Sequence, residues 1–323
     1  MTIKDVAKKA GVSISTASYA LNDKPNVHPD TKMRVLKAAE ELNYYPNAHA
    51  RSLKMKKNNN IGVFIYGLGG PIYSDLLEGV RIELQKRGYN IIVSSGKSSS
   101  VFLRERATGA AVIFDTEISN DEVLRYAKTH PIVVLDRKIN GKNIYQSIIE
   151  NKKLVYDFIS EIIKQKQYKK ISYLSGPEDS YYSNERYLGF KEALKDNNIL
   201  EHEYINCDFT ITSGYKLGVK LVKENKVPDL LYCANDEMAI GVIKAFTEMG
   251  IKVPEDCNVA GFDGIILGDY ITPKLTTISV DYFEWGRQIA GFLTKKLDNL
   301  TVYPLRNPEA KVVFKESLLN GSN

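Results

Sequence analysis

The sequence predicts an α/β core of two doubly wound subdomains with parallel sheets, preceded by an all-α helix-turn-helix domain. From Ile61 onward, short apolar runs alternate with helical segments, a pattern typical of parallel sheets flanked by helices. The first 45 residues contain three helical segments separated by turn residues. The length of 323 residues allows two or three domains with a large core.

The N-terminal segment predicts three helices. Thr2 can cap the first, IKDVAKKA, and Gly11 is suited to end it. Ser13 can cap the second, ISTASYALN, and DTKMRVLKAAEELNY gives the third, with Leu36 expected in the core. His28 is a poor cap for that third helix, so we expect it to be exposed. Two short helices with a tight turn, closed by a third, indicate a helix-turn-helix.

Charge is unevenly distributed along the chain. Residues 1–60 hold 11 Lys and Arg against 5 Asp and Glu, which leaves 33 basic and 34 acidic residues in the remainder. This asymmetry favours a polyanion as the partner of the N-terminal region. Two alternatives are a solvated charged tail and a three-helix bundle that binds protein. The small hydroxyl residues on the outer side of the second helix favour DNA over the bundle.

The core predicts seven buried strands and six helices, in alternation. The strands are IGVFIY, YNIIVS, AAVIF, PIVVLD, KISYLS, DLLYCA and CNVAGF. The helices are DLLEGVRIELQKRG, DEVLRYAKTH, NKKLVYDFISEIIKQ, NERYLGFKEALKDN, GYKLGVKLVKEN and EMAIGVIKAFTEMG. In such sheets, ligands bind beyond the carboxyl ends of the strands.

Several classes of protein are disfavoured by composition and motifs. No apolar stretch approaches the roughly 20 residues of a membrane span, and MTIKDVAKKAGVS lacks an apolar signal core, so we expect no export. Three scattered cysteines suggest free thiols and no metal site. There is no Ser-His-acid order and no phosphate loop with lysine, so we expect neither an enzyme nor a cofactor.

These segments together resemble the lac repressor family of bacterial transcription regulators. The resemblance is carried by IKDVAKKAGVSISTASYALND and VLKAAEELNYYPNAHARSL in the head. In the core it is carried by VVLDR, SNERYLGF, YCANDEMAIGVIKAFTEMGIKVPED, VAGFDG and PKLTTI. It covers nearly the whole chain, and it implies a DNA-binding head, a hinge, and a periplasmic-binding-protein-like core that dimerises. The segment between residues 95 and 110 is shorter than is usual in relatives, which predicts a truncated helix.

The resemblance implies that the second helix enters the major groove of operator DNA. Its base-reading positions match Ile14, Ser15 and Tyr19. Many relatives carry arginine where Tyr19 stands, and without that arginine the preference at one base pair is open. Packing or phosphate contact is the alternative role for Tyr19. We expect phosphate contacts from Thr16, Ser18 and Asn22.

The stretch NAHARSLKMKK matches the hinge of the family. About ten residues are too few for a stable isolated helix, and in relatives the hinge folds when two copies pair on DNA. By that resemblance Leu53 would enter the minor groove, Ala50 would permit close helix pairing, and Arg51 and Lys54 would meet phosphates. A flexible tether is the alternative.

Polar side chains at predicted strand ends suggest an effector site in the core. They are Asp136, Arg137, Asn235, Asp236 and Asp263, and Arg186, which opens a helix, is added to them. By resemblance, Phe209 matches the aromatic residue that stacks on ligand in relatives, and Tyr73 and Tyr182 are further candidates. Asp136 with Arg137, or Arg186 with Asp263, could instead be ion pairs that only hold the cleft. Trp285 is expected in the core.

The expected protein is a ligand-responsive, sequence-specific regulator, most simply a repressor, that binds a near-palindromic operator as a homodimer. Its effector is expected to be a sugar or sugar derivative, and its location the cytoplasm, at the nucleoid. The chain ends soon after VVFKESLL, so we expect no tetramer-forming helix. The alternative is a cytoplasmic carbohydrate-binding protein without DNA regulation. The predicted domains are 1–46 (head), 47–59 (hinge), 60–149 with 282–308 (N-terminal subdomain), and 150–281 with 309–323 (C-terminal subdomain).

Overall fold

The computed structural model describes residues 1–45 and 58–318. The hinge predictions for Ala50, Arg51, Leu53 and Lys54 lie outside these residues. The chain divides into two compact units, residues 1–59 and 60–323, and each is considered separately.

The first unit is a bundle of three helices: α1 (Ile3–Ala10), α2 (Ile14–Leu21) and α3 (Pro29–Glu41). The Thr2 backbone N–H donates to the Asp5 carboxylate at 2.8 Å, and Gly11 ends α1 with φ +66°. The core consists of small and β-branched side chains: Val6, Ala7, Ala10, Ala17, Ala20, Val35, Ala38 and Ala39.

Two details of this head bear on the sequence predictions. Leu36 was expected in the core but is 46% exposed, because the buried stripe of α3 runs through Val35, Ala38 and Ala39 and Leu36 lies about 100° away from it. His28 is exposed as expected. Its Nδ1 nevertheless accepts a long hydrogen bond, 3.4 Å, from the Asp30 backbone N–H and so caps α3 weakly.

The second unit contains two parallel sheets. The strands of the first are β1 (Asn60–Ile65), β2 (Asn90–Ser95), β3 (Ala110–Phe114), β4 (Ile132–Val134) and β5 (Ile144–Gln146), in spatial order β2-β1-β3-β4-β5. Its helices are α4 (Pro71–Lys86), α5 (Lys97–Arg104) and α6 (Asn120–Ala127). Helix α5 has eight residues and occupies the segment where a short helix was expected.

The second sheet has spatial order β11-β10-β9-β8-β6-β7, and only β11 runs antiparallel. Its strands are β6 (Ile171–Ser175), β7 (Glu203–Asn206), β8 (Leu230–Cys233), β9 (Asn258–Asp263), β10 (Thr276–Val280) and β11 (Ala310–Val313). The helices that follow along the chain are α7 (Asn151–Gln165), α8 (Tyr181–Asp196), α9 (Ile211–Lys223), α10 (Asp236–Glu248), a 3₁₀ turn (Ile266–Asp269) and α11 (Tyr282–Leu297).

Helix α11 returns to the first subdomain and packs closely on α4. Glycine makes this approach possible: a Cβ at Gly286 would lie 2.2 Å from the Leu76 carbonyl oxygen, and one at Gly79 would lie 2.0 Å from that of Phe283. The return of α11 brings Tyr282 and Trp285 to the space between the two sheets, where the candidate site lies.

Three segments connect the subdomains, and they are hydrogen-bonded to one another. The Ser147 hydroxyl donates to the Arg306 carbonyl at 2.6 Å, and the Ile148 N–H donates to the Asn307 side chain at 2.9 Å. The third segment, near Asp281, is bonded to the segment near Arg306: the Asp281 N–H donates to the Glu309 carbonyl at 3.2 Å. The predicted boundaries near 149, 281 and 309 fall in these segments, and the four-domain division remains a prediction.

Candidate functional site

A cavity of about 370 Å³ lies where the carboxyl ends of the strands of both sheets meet. Its volume is at the small end of the range for ligand pockets. The first subdomain contributes residues that follow β1, β3 and β4, and the second contributes residues that follow β6, β7, β8 and β9. The lining includes seven of the nine predicted effector residues: Tyr73, Asp136, Tyr182, Arg186, Phe209, Asn235 and Asp263.

Arg186 and Asp263 form the buried polar centre of the cavity. Arg186 donates from Nε to Asn151 at 2.8 Å and from a terminal nitrogen to Asp263 at 3.2 Å, and its other terminal nitrogen donates to the Ala234 carbonyl. The guanidinium lies 3.6 Å from the centre of the Phe262 ring. Burial raises the pKa of the Asp263 carboxyl, and Arg186 beside it acts in the opposite direction. The ion pair of the alternative interpretation is therefore present, in a position that also faces the cavity.

Phe209 lies on one wall and is held in an unusual backbone conformation, with φ +67°. Its ring covers Gly176, where an added Cβ would lie 2.1 Å from the ring. Asn235 fixes the Phe209 backbone by donating to its carbonyl oxygen at 2.9 Å, and the Asn235 side-chain oxygen caps α10 at the Met238 N–H, 3.0 Å away. This wall offers a flat aromatic face of the kind that stacks on sugar rings.

The opposite wall is aromatic and connects the two subdomains. Phe114 forms edge contacts with Tyr73 and Tyr182, with ring centres 5.4 and 5.5 Å apart. The Tyr182 hydroxyl donates across the cleft to the Leu135 carbonyl at 2.6 Å. Trp285 is buried, as expected of a core residue, and contacts Phe114 at 5.9 Å from behind.

Arg137 and Asp236 were predicted as effector contacts, and neither lines the cavity. Arg137 donates to the Ile118 carbonyl at 2.7 Å and to the Asp115 carbonyl at 2.5 Å, and it pairs with Asp136 at 3.0 Å. Its cationic group is therefore used to hold strand ends together.

Asp236 is fully buried and accepts three hydrogen bonds. The donors are the N–H groups of Gly264 and Ile265, at 2.7 and 2.9 Å, and the Thr277 hydroxyl at 2.6 Å. Burial, assisted by the nearby Asp263, raises the pKa of Asp236 to about 8. Asp236 thus connects α10 to the ends of β9 and β10 and supports the site without touching the cavity.

Several lining residues were not predicted from the sequence. The chemically informative ones are Tyr66, Asp179, Asp208, Glu237 and Tyr282. Tyr282 donates from its hydroxyl to Asp263 at 2.8 Å, which ties α11 to the second subdomain. Glu237 is in the first turn of α10, directly after the Asn235 cap, and no spacing rule in the sequence indicates that it faces the site.

In the head, the predicted DNA-reading residues lie along α2. Ile14 is 46% exposed, Tyr19 is 52% exposed, and Ser15 is exposed between them along the chain. Thr16, Ser18 and Asn22 are half-buried. The Asn22 side chain donates to the Ser18 carbonyl at 2.6 Å, so part of its hydrogen-bonding capacity is used within the helix.

Membrane-spanning helices and metal-binding clusters are both absent from the described ranges. In residues 1–45 and 58–318, no helix is long and apolar enough to cross a membrane. Over the same two ranges, no group of three or more His, Cys, Asp or Glu side chains is arranged to hold a metal ion.

Comparison with known proteins identifies the family. Residues 2–47 match the lacI family of bacterial regulatory proteins, and residues 161–318 match a periplasmic binding protein-like domain. The chain is 34% identical to the probable HTH-type transcriptional repressor ExuR of Bacillus subtilis, with 86% of each chain covered. It is 31% identical to the HTH-type transcriptional regulator AscG of Escherichia coli, with 98% of each covered.

A solved structure agrees with these relatives. The sugar-binding transcriptional regulator (LacI family) from Enterococcus faecalis is 32% identical and superimposes with a TM-score of 0.73. The match covers 82% of this chain and 99% of that chain. The helix-turn-helix head and the two-sheet core lie in the parts of the chain that these matches cover, and the chain belongs to the LacI family of bacterial regulatory proteins.

Proposed function

We propose that this protein is a repressor that binds a near-palindromic operator as a homodimer and is controlled by a sugar or sugar derivative. One observation carries the proposal: a single chain has an exposed second helix in its helix-turn-helix head and a cavity with an aromatic wall in its core. The relatives named as transcriptional repressors or regulators support the DNA partner. The relative named as sugar-binding supports the effector class.

The proposed mechanism couples the cavity to the operator. A ligand that prefers one arrangement of the two subdomains shifts the protein towards it, and it can act only through its difference in affinity for the two arrangements. Tyr182 and Tyr282 both bond across the subdomains, so they are placed to sense such a shift. We propose that the protein binds its ligand without transforming it, and that it acts at the nucleoid in the cytoplasm.

The homodimer proposal is supported by exposed apolar side chains on the 3₁₀ turn and on Tyr270, the residue that directly follows it. Ile266 is 69% exposed, Leu267 42% and Tyr270 78%. Large apolar side chains grouped on a surface often mark a contact with another chain. A second copy of this chain would cover these side chains and would place two heads on the two halves of a palindrome.

The DNA proposal is tested by gel shift with operators selected from a random palindromic library. Tyr19→Ala should weaken specific binding by about 1–3 kcal/mol, the cost of losing one base contact. Met33→Ala is the matched control, since Met33 is also an exposed head residue, on α3. If the unaltered protein selects no sequence at moderate salt, the alternative of a sugar-binding protein without DNA regulation is favoured.

The hinge proposal concerns Leu53, with Arg51 and Lys54 at phosphates and Ala50 at the contact between two hinges. Leu53→Ala should reduce specific operator affinity sharply, because an apolar wedge in the minor groove would be lost. The affinity of the core for effector should stay unchanged. Specific binding that survives the substitution intact would contradict the wedge and favour a simple tether.

A further inference from the structure

The lining of the effector cavity is strongly acidic. Five of its side chains are carboxylic and one is cationic: Asp136, Asp179, Asp208, Glu237 and Asp263, with Arg186. Two of the five carboxylates are neutralised within the protein, since Asp136 pairs with Arg137 and Asp263 pairs with Arg186. Within residues 1–45 and 58–318, no ion pair involves the other three: Asp179, Asp208 and Glu237.

The single cation of the lining is already committed. All three nitrogens of Arg186 donate to protein oxygens, those of Asn151, Ala234 and Asp263. Arg186 is also buried and stacked on Phe262, so it cannot swing towards a ligand without breaking these contacts. Among the described lining residues, an anionic group entering the cavity would therefore meet only a guanidinium whose charge Asp263 already balances.

Glu237 places its carboxylate at the seam between the two subdomains. An added Cβ at Gly70, in the first subdomain, would lie 3.7 Å from Glu237 Oε2, which belongs to the second. Burial raises the pKa of Glu237, and the charge of Asp263 adds to this. A carboxylate in this position can accept a hydrogen bond from a ligand hydroxyl, or pair with a ligand ammonium.

We infer that the effector carries no negative charge: it is a neutral saccharide or an amino sugar, and sugar phosphates and sugar acids are excluded. The inference rests on the proposed function, in which this cavity is the effector site. Its physical basis is that like charges repel. The repulsion is strongest at half-buried Glu237 and is more screened at Asp179 and Asp208, which are exposed to solvent at the cavity. Three unpaired carboxylates around a small cavity disfavour an anion and favour polar neutral or cationic groups.

The first test measures the electrostatic potential of the cavity without any effector. Gly69 lines the cavity, and a Cβ added there meets no atom within 4 Å, so Gly69→Cys should fold. Cys207→Ser is added, because Cys207 is half-buried while Cys233 and Cys257 are buried. The rate of modification is then compared for a cationic methanethiosulfonate, with a trimethylammonium group, and an anionic one, with a sulfonate. Both reagents react with the same thiol, so the intrinsic reactivity of that thiol cancels in the ratio of the two rates.

The matched control is the same cysteine with Asp179→Asn, Asp208→Asn and Glu237→Gln. At low salt, the ratio of cationic to anionic rates should exceed that of the control by about tenfold or more, and the difference should shrink as salt is added. Equal ratios in the two proteins, or faster reaction with the sulfonate, would overturn the inference.

The second test compares ligands that share one sugar ring and differ in the charge of a single substituent. Thermal shift is measured with glucose, glucosamine, glucuronate and glucose 6-phosphate, and with the corresponding galactose series. Stabilisation by a neutral or amino member that Phe209→Ala abolishes supports the inference. Stabilisation by an acid or a phosphate, abolished by the same substitution, refutes it.

The two proposals can fail separately. If none of the eight sugars stabilises the protein, the ratio of the two modification rates at Gly69→Cys still decides the charge preference of the cavity. Suppose instead that the gel shift finds no specific operator while the cationic reagent still reacts much faster than the anionic one. In that case the regulatory function fails and the inference about ligand charge stands.

Discussion

At the scale of single residues, alternation along the chain separates the residues that line the cavity from those that support it. Asn235 and Glu237 line the cavity, while Asp236 between them points into the protein. In the same way, Asp136 lines the cavity and its neighbour Arg137 does not. The sequence places Asp136, Arg137, Asn235 and Asp236 at predicted strand ends, but it does not specify which neighbour faces the cleft, because that depends on packing from distant segments such as β10.

The raised pKa of Asp236 leads to a prediction about pH. Because the folded-state pKa is about 8 and the ordinary value is 3.8, the folded protein binds a proton more tightly than the unfolded chain does. Protonation of Asp236 therefore stabilises the folded state. This stabilisation is complete below the ordinary pKa of 3.8 and is lost as pH rises through the folded-state pKa of about 8. We expect the unfolding free energy of the unaltered protein, relative to Asp236→Asn, to fall by more than about 1 kcal/mol between pH 5 and pH 8.

Urea unfolding of both proteins at several pH values measures this difference. Effects of other titrating groups cancel, since the two proteins share them. A difference that stays constant with pH would mean that Asp236 titrates at its ordinary value.

At the scale of elements, the sequence predicts seven strands and misses β5, β7, β10 and β11, of which β10 is interior and mostly buried. The predicted runs AAVIF and KISYLS correspond to β3 and β6, which are buried throughout. The unpredicted β5, β7 and β11 lie at sheet edges, have three or four residues, and contain no fully buried position. Such strands form because a neighbouring strand offers hydrogen bonds, and a single-sequence pattern does not reveal that.

The contact between α4 and α11 gives a prediction about stability. Gly286→Ala should lower the free energy of unfolding by about 1–3 kcal/mol, since the new Cβ would overlap the Leu76 carbonyl oxygen. Gly291→Ala on the same helix is the control. Its Cβ would meet Glu83 at an ordinary 3.4 Å, and alanine favours helix, so stability should be unchanged or rise. Equal effects of the two substitutions in denaturant titration would contradict the proposed packing.

At the scale of the whole molecule, the fold class and the family could be predicted from sequence because strand–helix alternation and ordered motifs extend over most of the chain. The cavity could be predicted in outline, since parallel sheets collect strand ends at one edge. Its acidic character could not be predicted, because Asp179 and Asp208 come from two different loops and Glu237 from the start of α10. Only the folded core brings their charges together.

The dimer proposal gives a prediction at this scale. Tyr270→Arg should shift the protein towards monomer in sedimentation, because a charge would replace an apolar side chain at the proposed contact. Operator affinity should fall with it, since one head would then bind alone. Tyr303→Arg serves as control: Tyr303 is similarly exposed, at 85%, but lies far along the chain from the 3₁₀ turn and Tyr270. An unchanged sedimentation coefficient for Tyr270→Arg would place the contact elsewhere.

Trp285 is the only tryptophan of the chain, and it occupies an informative place. Its indole N–H donates to Ser147 in a segment that connects the subdomains, and its ring contacts Phe114 of the cavity wall. Any ligand that moves this wall or this segment changes the surroundings of one chromophore. The unlabelled protein therefore carries its own optical probe, and intrinsic fluorescence can follow both the occupancy of the cavity and the speed of its response in a single titration.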